Sequence, residues 1–126
     1  MDLSHVAADA YVVAGIADHI TPWQNCYSSG QLLGGTTRFV LSTSGHIAAL
    51  VNPPGNAKAT FQTAKDNPHD PQAGLRAVRS HEGSWWPDHD AWLAERCVPL
   101  VDAPTRLDGH GLEILGEAPG SYVVEA

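Results

Sequence analysis

The sequence predicts an α/β fold built around one βαβ unit, on three observations. Ala10-Tyr11-Val12-Val13-Ala14-Gly15 is a short β-rich run closed by glycine, the pattern of a strand buried on both faces. Trp23, Cys26, Tyr27, Gly30 and Leu33 then recur at three- and four-residue steps, which turns one face of a helix inward. Arg38-Phe39-Val40-Leu41 repeats the strand pattern and stops at the small-residue turn Ser42-Thr43-Ser44-Gly45. Strand, helix and strand joined by tight turns make a parallel, right-handed crossover.

The punctuation between these elements is equally readable. Thr21-Pro22 offers an N-cap followed by proline at the first helical position. Gly34-Gly35 stops the helix. Beyond His46, residues 47–51 read as a short helix closed by Asn52-Pro53-Pro54-Gly55-Asn56, and the stretch from there to Pro68 carries no clear period. Asp70-Pro71 opens a further short helix with Leu75 and Val78 facing the core. His81-Glu82-Gly83-Ser84-Trp85-Trp86-Pro87 leads into a helix near 88–96, anchored by Trp92 and Leu93. From Val98 onward, proline, glycine and isolated apolar residues suggest an arm or tail. The expected organisation is therefore an α/β part over residues 1–97 and a C-terminal arm over 98–126. Two strands cannot cover their own faces and edges. The first should present a bare edge, and the chain reads as a fragment of a larger sheet.

Composition narrows the function classes. Seven basic residues against fourteen acidic ones give a net charge of −7, and no Lys/Arg cluster interrupts it, so nucleic-acid binding is disfavoured. No run approaches the ~18 apolar residues of a membrane span. The N-terminus has neither the basic nor the apolar region of a signal peptide. The expected location is cytoplasmic. Cys26 and Cys97 are too few for a disulfide framework. His81, Glu82, Asp88, His89 and Asp90 are close in sequence but lack the ligand spacing of a zinc site, so no metal is expected.

Two polar islands carry the chemistry. Gly15-Ile16-Ala17-Asp18-His19-Ile20 follows the first strand, and Ser44-Gly45-His46-Ile47-Ala48 follows the second. An acid after one strand and a histidine after the next is the second half of a nucleophile–Asp–His triad in α/β-hydrolase order. In that arrangement the carboxylate orients the imidazole, which activates a nucleophile. The plainer reading makes Asp18 a cap for the turn before Thr21 and His46 a polar loop residue; the local pattern alone leaves both open. His19 reads as a surface or supporting histidine, and Trp85, Trp86 and Trp92 as core packing. A contact face for a polymer or a second subunit is the sharper alternative for those tryptophans.

Four motifs stand in order: Gly15-x-x-Asp18-His19-Ile20-x-Pro22-Trp23; Arg38-Phe39-Val40-Leu41-x-x-Ser44-Gly45-His46-Ile47-Ala48; Val51-Asn52-Pro53-Pro54; and Gly83-Ser84-Trp85-Trp86-Pro87. Together they closely resemble the C-terminal third of polyhydroxyalkanoate synthases. Ala118-Pro119-Gly120-Ser121-Tyr122-Val123 is similar to that family's last residues. The resemblance implies an α/β-hydrolase core and a Cys-Asp-His triad that polymerises 3-hydroxyacyl-CoA into polyester with release of CoA. On that basis Asp18 matches the triad aspartate and His46 the histidine, with no cofactor beyond the CoA thioester substrate. The family's nucleophile lies in a G-x-C-x-G elbow, and no G-x-[SC]-x-G occurs here. Cys26 and Cys97 lack the flanking glycines and read as structural. The chain is thus expected to be inactive alone. An N-terminal synthase half or a second copy is its expected protein partner, and the polyester granule surface a second location. The rival is a non-catalytic accessory module that binds a synthase or granule through its Trp-rich end.

Overall fold

The computed structural model describes residues 2–64, 66–76, 78–103, 105, 111, 113 and 115–123. Strand β1 (Ala10–Gly15) is followed by helix α1 (Trp23–Gly30), strand β2 (Thr37–Ser42) and helix α2 (His46–Val51). Strand β3 (Thr60–Ala64), helix α3 (Pro71–Arg76), strand β4 (Val78–Glu82) and helix α4 (Trp86–Ala94) complete an α/β fold. Short 3-10 turns lie at Leu3–His5 and Ser121–Val123. The expected arm over 98–126 falls partly outside the described residues.

The sheet order is β1-β2-β3-β4. β1 and β2 are parallel, with Tyr11 opposite Arg38 and Gly15 opposite Ser42, as the βαβ reading requires. β1 stands at the sheet edge, and no strand pairs with its other side among the described residues. Its central-strand composition therefore sits in an edge position, half-buried over most of its length.

The second half of the sheet corrects the expectation of helices alone after the βαβ unit. β3 runs antiparallel to β2, and β4 antiparallel to β3. Their sequences hide the strand period because Phe61 shares the inward face with Thr63 and His81. Thr63 is buried and its hydroxyl bonds His81 Nε2 at 2.9 Å, while the His81 ring stacks on Phe61 at 4.7 Å. A hydrogen-bonded threonine and a stacked histidine fill sites usually held by aliphatic residues, so no apolar alternation marks the strands. Val78, expected on the α3 face, instead begins β4.

Alternation across β1 and β2 assigns the helices to faces. Phe39 and Leu41 turn to one side with Ala14, Trp23 and Tyr27. Tyr27 meets Phe39 edge-on at 4.9 Å, and Leu75 of α3 packs against the same cluster. Arg38, Val40 and Ser42 turn the other way, towards α2 and α4; Val40 and Ser42 are fully buried. Tyr11 and Arg38 converge there on Asp88 of α4. The Tyr11 hydroxyl donates to Asp88 Oδ2 at 2.7 Å, and Arg38 Nε donates to the same oxygen at 2.9 Å. Burial, then the Asp88 carboxylate that accepts its proton, push the Tyr11 hydroxyl well above its ordinary pKa. Burial also opposes ionisation of Asp88, but the bonds from Arg38 and Tyr11 outweigh it and hold that carboxyl low. Trp85, His89 and Trp92 surround the Tyr11 ring, so the aromatic cluster docks α4 on the sheet. Trp86, 42% exposed, is the tryptophan that departs most from core packing.

Candidate active site

The turn after β1 is built by Asp18. Its Oδ1 accepts the Ile20 and Thr21 backbone N–H groups at 2.9 and 3.0 Å, the local carboxylate-to-backbone pattern that favours Asp in turns. Thr21 does not cap α1 as expected. Pro22 is the N-cap and makes no side-chain cap bond, and the Thr21 hydroxyl donates to Asp18 Oδ2 at 2.6 Å.

The turn after β2 presents His46 as the first residue of α2. Backbone bonds lash the two turns together: Ile16 N–H to Ser42 O at 2.9 Å and Ala17 N–H to Ser44 O at 3.1 Å. Ser44 takes φ +87° to make this turn, a left-handed conformation that a non-glycine residue adopts at a cost. Gly15 allows α2 to approach β1. A Cβ there would lie 2.9 Å from the Ala49 Cβ and 3.0 Å from Ser44 O.

These two turns bring the predicted pair together. His46 Nδ1 lies 2.8 Å from Asp18 Oδ2. The Asp18 side chain is 6% exposed and that of His46 is 40% exposed. In the neutral ring, a nitrogen this close to a carboxylate is the one that carries the proton, and Nε2 is then the lone-pair acceptor. Nε2 makes no protein hydrogen bond among the described residues. The bonds from the Thr21 hydroxyl and backbone, then from His46 and Ile20, hold the Asp18 carboxyl well below the usual range, against an opposing push from burial. The turn-cap and pair readings of Asp18 are therefore compatible: Oδ1 serves the turn, and Oδ2 serves His46 and Thr21.

The other singled-out residues lie elsewhere. His19 is exposed and makes no side-chain hydrogen bond among the described residues. Cys26 is half-buried against the α1-side core, Cys97 is exposed, and both are free thiols. Asp88 and His81 are engaged in the sheet contacts above, and no group of three or more potential metal ligands converges among the described residues. Sequence reasoning missed Thr21 as a partner of Asp18, although an Asp three residues before a Thr is a usable turn signal. It also missed the bonds from Ser84 and the Trp85 and Trp86 indoles to the end of α2, which no local pattern announces.

The structure thus shows a hydrogen-bonded aspartate–histidine pair at the carboxyl ends of two adjacent parallel strands. Sequence comparison gives the lineage. The chain is 52% identical over 126 residues to poly(3-hydroxyalkanoate) polymerase 1 of Ectopseudomonas oleovorans. It is 45% identical over 124 residues to polymerase 2 of the same organism, and 39% identical over 123 residues to the polymerase subunit PhaC of Cupriavidus necator. These matches take in 98–99% of the chain and 21–22% of each relative. The chain belongs to the poly(3-hydroxyalkanoate) polymerase family and spans about a fifth of the length of those relatives. No protein-family model matches it. Among the described residues no helix is long and apolar enough to cross a membrane.

Proposed function

We propose that this chain is a C-terminal portion of a polymerase catalytic domain of α/β-hydrolase type, and that it contributes Asp18 and His46 to an acyl-transfer site. The nucleophile is a cysteine thiol from outside these 126 residues, and the substrate is a 3-hydroxyacyl-CoA thioester. The observation that carries this reading is the 2.8 Å bond between His46 Nδ1 and Asp18 Oδ2, with Nε2 left free to accept a proton. His46 Nε2 takes the thiol proton, the thiolate attacks the thioester carbonyl, and CoA departs as the thiol with the proton returned from the imidazolium. His46 then deprotonates the 3-hydroxyl of the next unit, whose oxygen attacks the acyl–cysteine thioester carbonyl; the C–S bond breaks, the new ester forms, and the cysteine leaves as the thiol with the proton returned from the imidazolium.

Asp18 orients and stabilises the imidazolium in this scheme. Direct activation of the hydroxyl by Asp18 fits less well. A carboxyl held far below the usual range by the Thr21 hydroxyl and its other donors is a poor proton acceptor at neutral pH. The absence of a G-x-[SC]-x-G elbow and the packing of Cys26 into the core support an external nucleophile. Trp85 and Trp92 are committed to Tyr11, so the rival accessory reading through the Trp-rich end draws little support.

The test pairs the chain with the remaining four-fifths of a polymerase and follows free CoA thiol released from 3-hydroxybutyryl-CoA. The chain alone should release none, and the pair should. His46→Ala should abolish turnover by at least ~10³-fold, as loss of a triad base does. Turnover by the chain alone, or turnover in the pair that survives His46→Ala, overturns the reading.

A further inference from the structure

The Gly83-Ser84-Trp85-Trp86 motif has no part in the proton transfers above, yet its three side chains all reach the helix that begins with His46. α2 has only six residues, and helices this short are marginal in isolation. Its last carbonyls lack partners within the helix. Trp85 Nε1 donates to Ala49 O at 2.9 Å, and Trp86 Nε1 to Leu50 O at 3.4 Å. Ser84 Oγ donates to Asn52 O at 2.6 Å and accepts the Trp86 N–H at 3.1 Å. Ser84 and Asn52 are both buried. Gly83, at φ +86°, makes the turn that sends these three consecutive residues towards α2, a backbone conformation that glycine adopts without strain.

The anchor behind them is firm. The Trp85 ring lies against Tyr11 and His89, and Tyr11, Arg38 and Asp88 tie α4 to the outer face of β1 and β2. At the N-terminal end of α2, Gly45 makes no side-chain cap bond.

We infer that Ser84, Trp85 and Trp86 are positioning residues for His46. They cap the C-terminal carbonyls of α2 and so fix the helix whose first side chain must meet Asp18. The inference rests on the reading of His46 as the base. Its test reads the His46–Asp18 bond directly by NMR, as solvent exchange of the His46 Nδ1 proton in the intact chain. Trp85→Phe keeps an aromatic ring against Tyr11 and removes the N–H; Ser84→Ala removes the hydroxyl. Each net hydrogen bond corresponds to roughly a 5-fold change in an equilibrium, so the double variant should exchange that proton at least ~10-fold faster. Trp86→Phe, a milder exposed change, should move it in the same direction by less. Trp92→Phe perturbs the same aromatic cluster without touching α2 and should leave exchange at His46 unchanged.

Exchange within ~2-fold of the unmodified chain in both the double variant and Trp86→Phe would overturn the proposal. So would equal acceleration by Trp92→Phe, or the absence of a protected Nδ1 proton in the unmodified chain. None of these readings depends on turnover. Failure of the CoA-release experiment would therefore count against the catalytic role and not against the cap.

Discussion

Adding one methyl group at Gly15 should separate the two turns that hold Asp18 and His46. The Gly15 backbone φ lies outside the left-handed region, so alanine meets no backbone penalty and the cost is steric. Its Cβ would sit 2.9 Å from the Ala49 Cβ and 3.0 Å from Ser44 O. Ala49 is fully buried and cannot swing aside without moving α2. Overpacking of this kind costs about 1–3 kcal/mol. Ala49→Gly alone should cost about 2 kcal/mol, from about 1 in helix propensity and about 0.8 in lost burial. If the positions were independent, the double variant would lose about 3–5 kcal/mol, the sum of those ranges. Because Ala49→Gly removes one of the two clashing atoms, the double variant should instead lose at least about 1 kcal/mol less than that sum. Urea unfolding of the three variants measures this coupling. Additivity within about 0.5 kcal/mol would refute the argument that this contact sets the approach of α2 to β1.

Two further outcomes follow from the same geometry. Thr21→Val removes the largest influence holding the Asp18 carboxyl down. The stability linked to that depression is fully present above the unfolded carboxylate pKa of about 4 and lost as pH falls through the folded value. The variant's folded pKa moves back towards 4, so its acid-unfolding midpoint by circular dichroism should rise while Thr21→Ser stays near the unmodified chain; an unchanged midpoint in Thr21→Val contradicts the assignment. Asp88→Asn leaves Arg38 facing a neutral partner; with Arg38 and Asp88 side chains 36% and 19% exposed, the cost falls below that of a fully buried pair, at about 1–3 kcal/mol. Tyr11→Phe should cost about 1 kcal/mol, and urea midpoints that do not move in either variant would contradict the role of this network in docking α4.

Legibility in the sequence followed the kind of force at work. β1, α1, β2 and α2 were readable because apolar periodicity agrees with the tertiary packing there, although α1 ends at Gly30 and not at the expected Gly34-Gly35 stop. The meeting of Asp18 and His46 was readable because adjacent parallel strands place their following turns side by side. β3 and β4 were not, since Thr63 and His81 take inward positions through a hydrogen bond and a stack that no hydropathy pattern records. Thr21 was misassigned as the helix cap, although its bond to Asp18 spans only three residues and is a local turn signal. The tryptophans were expected in the core, and Trp85 and Trp92 pack on Tyr11. Their indole donors, however, could be given acceptors only once α2 was placed.

Volume and chemistry point to opposite ends of this sheet, and the chemistry is the better guide. A cavity of about 350 Å³ lies where α1 ends and β2 begins, lined in part by Tyr27, Gln31, Thr37, Asn67 and His69. Asn67 Nδ2 donates to Thr37 O there, while its buried Oδ1 has no partner among the described residues. Thr37 opens β2 and His46 follows its close, so the cavity and the pair are separated by roughly 17 Å of strand at about 3.3 Å per residue. In sheets with parallel strands, ligands sit at the carboxyl ends, where the following turns converge. The Asp18–His46 pair meets that rule, holds the chain's most strongly depressed carboxyl among the described residues, and keeps one imidazole nitrogen free. The cavity has size, but its lining, among the described residues, holds no carboxylate to orient the His69 imidazole. Exposed Ile20 and Ile47 flank the pair in sequence, and under the proposed function they offer apolar surface suited to an acyl chain at the strand ends that Gly15 and the α2 cap bring together.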